Sequence, residues 1–128
     1  MKSSKIIILS FCAFIILSTS TVFAKTLMTY NGTGIRGKYS INSFNTKNGK
    51  FTVTHTNSSW NNVSNSSKLM QVQAHKKTWR GYSNQQTREV RGTGTKTLYY
   101  NVTSGTYKLY FHAPHRPAAA DIRGSVSN

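Results

Sequence analysis

The sequence predicts an all-β fold, a small antiparallel β-sandwich, and three observations carry that expectation. Residues 25–128 hold 11 Asn, 11 Ser and 14 Thr, types that are poor in helix interiors because their short polar side chains compete for the backbone. Apolar residues recur with a period of two, and no stretch sustains a period of 3.6. The alternating runs are short and are separated by Gly, Asn, Ser and Pro, the turn formers. A small β-barrel is the alternative, but nothing in the spacing demands closure, so the sandwich is preferred.

The chain opens with Lys2 and Lys5, then the apolar run 6–17 (IIILSFCAFIIL), the polar stretch Ser18–Thr21, and Val22-Phe23-Ala24. This is the order of a cleaved secretory signal peptide over residues 1–24. The run is too short for a span, which takes roughly 20 apolar residues. Cys12, the only cysteine, lies inside the run after Phe11, so the chain does not fit a lipoprotein signal. Cleavage leaves residues 25–128 as a single domain with no disulfide, and loss of the two lysines lowers the net charge from +15 to +13. Stability must then come from packing and backbone pairing, which favours a sheet with an aromatic core.

Strands are expected at 26–30, 35–41, 51–56, 69–74, 77–82, 86–91, 97–102, 106–113 and 121–126. In the second of these, Ile35, Gly37, Tyr39 and Ile41 share one face, with Arg36, Lys38 and Ser40 on the other. Phe51, Val53 and His55 alternate with Thr52, Thr54 and Thr56. Between the two runs, Asn48-Gly49 supplies the positive φ of a hairpin turn. Leu98, Tyr100 and Val102 lead into Thr103-Ser104-Gly105, a second turn. After it Tyr107, Leu109, Phe111 and Ala113 alternate with Thr106, Lys108, Tyr110 and His112. Residues 57–68 (NSSWNNVSNSSK) read as a long loop centred on Trp60, which either contacts a ligand or folds back to plug one end of the sandwich. Residues 114–120 (PHRPAAA) form a second non-strand segment.

The charge balance narrows function. Lys and Arg number 17 against two acids, Glu89 and Asp121. Ca²⁺ and Mg²⁺ sites need clustered carboxylates, and paired-carboxylate glycosidase chemistry would need both acids on one bond. A nucleophilic triad lacks its cysteine or Gly-x-Ser-x-Gly elbow. A zinc site would rest on His55, His75, His112 and His115 alone; no metal or cofactor is expected. The strongest enzymatic alternative is a small secreted ribonuclease, with Glu89 as base among Arg80, Arg88 and Arg91, and His112 or His115 as acid.

The larger signal is cationic and aromatic. Arg36 and Lys38 share a strand face, and Lys76, Lys77, Trp79, Arg80 and Tyr82 interleave cations with rings. Arg88 and Arg91 follow, and Tyr99, Lys108, Tyr110 and His112 lie opposite the expected core. Cations attract phosphate or carboxylate at long range, while ring faces stack on sugars, bases or headgroups. Solubility needs a net charge of only about 2 to 8, so these residues, with Trp60, are the candidate ligand-binding set. The expectation is a secreted, extracellular, monomeric binder of an anionic cell-wall polymer or anionic membrane surface, with nucleic acid offering the same charge. Turned against a competitor's envelope, the same contacts would make it antibacterial, as bacteriocins are. A self-assembling extracellular surface protein is the structural alternative.

Overall fold

The computed structural model describes residues 24–128. Apart from Ala24, the expected signal peptide lies outside the described residues, as does Cys12. β1 (Thr26–Ile35), β9 (Ala120–Ser127), β4 (Lys50–Trp60) and β7 (Gly94–Asn101) form a four-stranded sheet in that order. β2 (Gly37–Tyr39), β8 (Gly105–His112), β5 (Leu69–Thr78) and β6 (Gly81–Arg91) form the second sheet. β3 (Phe44–Thr46) joins it by pairing with β8 at Gly105–Tyr107, while β2 pairs further along at Tyr110–His112. Every pairing is antiparallel, and neither sheet closes on itself. The fold is the β-sandwich that the alternation predicts.

The connections differ from the expectation. The turn at Asn48-Gly49 forms, with Gly49 at φ 75, but β3 and β4 belong to different sheets. Thr103–Gly105 likewise joins β7 to β8 across the sandwich. Both turns are arches between sheets and not hairpins. The apolar faces flanking each turn meet across the core instead of lying side by side: Phe44 packs edge-on against Phe51 at 4.9 Å. Among the described residues, the tight hairpin within a sheet is the one that joins β5 to β6 through Trp79 and Arg80, with Thr78 opposite Gly81.

Three strand boundaries also shift. The expected strand at 35–41 breaks because the chain leaves one sheet and enters the other there. Gly34 adopts φ 61, and Ala113 N–H closes the corner by donating to Arg36 C=O at 2.7 Å. Ile35 is buried, whereas Tyr39 is 38% and Ile41 81% exposed, so the four residues do not share a core face. The expected strands at 69–74 and 77–82 merge into β5 and the start of β6. The register of β5 against β6 shifts at an extra residue in β6, Gln85, because Ala74 faces Gln86 and His75 faces Asn84. β5 itself pairs with β8 unbroken from Gln71 to Lys76, so its alternation continues, with Ala74 buried inward and His75 buried on the outer face under Tyr39 and Tyr110. Residues 57–60 extend β4, paired to β9 up to Trp60 with Ala120, so the loop is 61–68 with one 3-10 turn at Asn65–Ser67.

The core is aromatic. Phe51 and Tyr100 stack at 4.8 Å with planes 7° apart, and Tyr100 donates its hydroxyl across the sandwich to Val72 C=O at 2.6 Å. Each such buried side chain contributes about 1.5–3 kcal/mol by leaving water. The fully buried His55 and Asn57 continue the inward face of β4. Asn57 donates its amide to Val90 C=O and Gly92 C=O; its oxygen is therefore the acceptor from His55 Nε2 at 2.7 Å. That leaves His55 Nδ1 to accept from the Tyr30 hydroxyl at 2.6 Å. Among the described residues no buried side-chain nitrogen or oxygen lacks a partner.

Candidate functional site

Alternation along β8 and β5 builds one continuous outer face. On β8, Tyr107, Leu109 and Phe111 turn inward and are buried, which leaves Lys108, Tyr110 and His112 on the outside. On β5, Gln71, Gln73, His75 and Lys77 occupy the corresponding positions, and β6 adds Tyr82 beside Lys77. β2 places Tyr39 against Tyr110, with ring centroids 4.7 Å apart. His75 lies 5.1 Å from Tyr39 and 5.2 Å from Tyr110. Tyr82 lies 5.9 Å from Tyr39, with Lys108 Nζ 5.4 Å above its ring. Gly37 makes room, because a Cβ there would stand 2.9 Å from the Tyr110 hydroxyl.

A hydrogen-bond chain fixes the centre of this face. The Gln73 amide donates to Gln71 Oε1 at 3.0 Å, so Gln73 Oε1 accepts from His75 Nε2 at 2.8 Å. His75 Nδ1 then accepts from the Tyr39 hydroxyl at 2.9 Å. His75 is 8% exposed, and burial pushes its pKa below the ordinary histidine value. A neutral imidazole therefore organises the rings, and the face's positive charge comes from Lys77 and Lys108.

The hairpin tip extends the face. Trp79 is 87% exposed, and the Arg80 guanidinium stacks over its indole at 4.4 Å. From Gln71 to Lys77 the strip runs about 20 Å at the rise of an extended strand, with the tip beyond it.

The structure thus unites Lys77, Trp79, Arg80, Tyr82, Lys108, Tyr110 and His112 from the expected set and disperses the rest. Trp60 is no exposed loop contact: it is half-buried at the end of β4, packs on the core and donates its indole N–H to Gly92 C=O at 2.8 Å. Lys76 reaches Thr103 Oγ1 at 2.9 Å beside the β7–β8 arch. Arg88 donates Nε–H to Tyr99 C=O at 3.0 Å, tying the β6 edge to the β7 edge. Tyr99 itself is 69% exposed but stands on the four-stranded sheet. Arg36 sits at the corner between sheets, Lys38 lies opposite Phe111, and Arg91 ends β6 opposite Leu69.

The expected set left out Tyr39, whose apparent face was set by a run that the chain bends. It also left out His75, which stands in the same cation-and-ring stretch as Lys76 to Tyr82 but whose partners Tyr39 and Tyr110 lie dozens of positions away. Register also aligns His112, Gln71 and Glu89 in one row across three strands, with His112 and Glu89 about 10 Å apart at two strand spacings. Among the described residues no three His, Cys, Asp or Glu side chains gather to hold a metal. Comparisons with protein-family models, with curated proteins and with solved structures find no match.

Proposed function

We propose that the protein binds a linear polyanion outside the producing cell, along the outer face of the five-stranded sheet, and that an anionic cell-wall polymer is its target. The observation that carries this reading is the packed Tyr39–Tyr110–His75–Tyr82 platform with Lys108 over it and Lys77 and Arg80 at its tip end. Rings supply stacking faces for sugar or base units, and the lysines supply charge for the phosphates between them. The strip is long enough for several repeat units. The same contacts on a competitor's envelope give the antibacterial form of this reading, which growth inhibition of Gram-positive indicator strains checks.

Parallel retention of the purified protein on teichoic acid, anionic lipid vesicles and RNA tests the reading. Teichoic acid should bind tightest, and Lys77→Glu with Lys108→Glu should weaken it at least about tenfold, with binding falling steeply as salt rises. Unchanged retention in about 0.5 M salt, or an intact double variant, would sink it; vesicles or RNA binding tighter would move the target. The shared row of His112 and Glu89 keeps a ribonuclease reading in view. RNA cleavage that Glu89→Gln and His112→Ala both abolish supports it, and no cleavage across pH 5–8 removes it.

A further inference from the structure

Beyond Tyr39, at the edge of this strip, the molecule has a second concave surface. A cleft of about 630 Å³ runs along β1, β9 and β4, lined there by Thr29, Asn31, Thr54, Thr56, Arg123 and Ser125, and on its other side by the segment 38–42. Its size falls in the roughly 300–1,000 Å³ range of small-molecule sites. The lining is ordered by register. Thr29, Ser125 and Thr54 form one row across the three strands, and Asn31, Arg123 and Thr56 form the next. Adjacent strands place these groups about 4.8 Å apart and neighbouring rows about 6.8 Å apart.

The chemistry of that array is specific. Hydroxyls and carboxamides both donate and accept, as a ring of sugar hydroxyls requires. Arg123, at the centre of its row, offers a planar fork that matches a carboxylate or phosphate, and Lys38 adds a second cation from across the cleft. The nearest acid along β9, Asp121, is engaged elsewhere: its two oxygens accept from Gly34 N–H at 2.8 Å and from the Ser59 hydroxyl at 3.0 Å. Ile35, Ile41 and Ile122 contribute apolar wall for the C–H face of a sugar ring. Ile41 is 81% exposed, which such a contact would cover.

We propose that this cleft binds a sugar bearing an acidic group, with Arg123 and Lys38 on the acid and the Thr29–Ser125–Thr54 row on the hydroxyls. Tyr39 lines both the cleft and the polyanion strip, but the acid and hydroxyl contacts proposed here use none of the strip's cations. Backbone-amide NMR titrations of the purified protein with trigalacturonic acid, glucose 6-phosphate, maltotriose and inorganic phosphate test it. The acidic sugars should give saturable shifts at Asn31, Thr54, Arg123 and Ser125, at concentrations at least about tenfold below any response to maltotriose. That margin is what one charge-assisted hydrogen bond contributes. Arg123→Gln should weaken acidic-sugar binding about tenfold, and Thr54→Val, a β-favouring replacement on an exposed position, about threefold or more. Absence of saturable shifts with both acidic sugars overturns the proposal. So does inorganic phosphate binding as tightly as glucose 6-phosphate, or maltotriose binding as tightly as trigalacturonate. Lys77→Glu with Lys108→Glu should leave the cleft affinity within about threefold, so failure of the strip and failure of the cleft read out separately.

Discussion

His55 carries no exposed surface, and its chemistry sets how the protein responds to acid. Burial pushes the imidazole down to about 4 from its ordinary 6.5, partly offset by the bond to Asn57. The unfolded chain therefore takes up a proton first, so the stability is complete above about pH 6.5 and is lost as pH falls towards 4. The shift corresponds to about 3 kcal/mol at the acid limit. Denaturant unfolding at pH 7 and pH 4 should show that loss, and His55→Gln should flatten it; an unchanged midpoint in the native protein would contradict the argument. With only two acids, Glu89 and Asp121, in the chain, acid unfolding has few carboxylates to act through. Tyr30→Phe should cost about 1–3 kcal/mol, because it leaves a buried Nδ1 without a donor. Alternation with Phe51 and Val53 already turned His55 inward in the sequence. Its partner Tyr30 lies 25 positions away, a distance at which no local pattern speaks. Trp60 teaches the same limit, since only the return of Gly92 shows that its indole N–H is satisfied inside.

Among the elements, the two arches decide the topology, and glycine controls one of them. At Gly49 a Cβ would fall 1.7 Å from Val102 C=O, where Val102 N–H bonds Gly49 C=O at 2.8 Å, and the residue sits at φ 75. Gly34 has a similar φ of 61 but open space around it. Gly34→Ala should therefore cost about 1–2 kcal/mol from backbone strain alone, and Gly49→Ala clearly more. Thermal unfolding of the two variants checks the order, and equal losses would show that the β3–β4 arch yields readily. The β5–β6 hairpin offers the opposite case. Trp79 is almost fully exposed, so Trp79→Ser should change stability by no more than about 0.5 kcal/mol while weakening polyanion retention. Strand positions were largely legible because period-two alternation is local. Pairing was not: Asn-Gly turns serve hairpins and arches alike, and facing-sheet packing chooses between them.

Within the described residues, the chain's 17 Lys and Arg less Lys2 and Lys5 leave 15 cations against two acids, so most charges repel one another across the sandwich. Screening relieves that repulsion, so the unfolding temperature should rise as sodium chloride increases from about 10 to 300 mM, where the Debye length shrinks severalfold. A fall over that range would point to attractive pairs outweighing the repulsion. The sequence by itself determined the sheet class, the inward residues of β4 and β8, the outward Lys108, Tyr110 and His112, and the excess of cations. It could do so because alternation and composition are properties of neighbours along the chain. The tertiary structure decided which cations and rings share a face. Lys77, Lys108, Tyr39 and Tyr82 come from four strands of one sheet, Tyr99 stands on the other, and Arg88 is drawn into the seam between them. Strand order and register bring such residues together across gaps of dozens of positions, and only the packed sheets specify them.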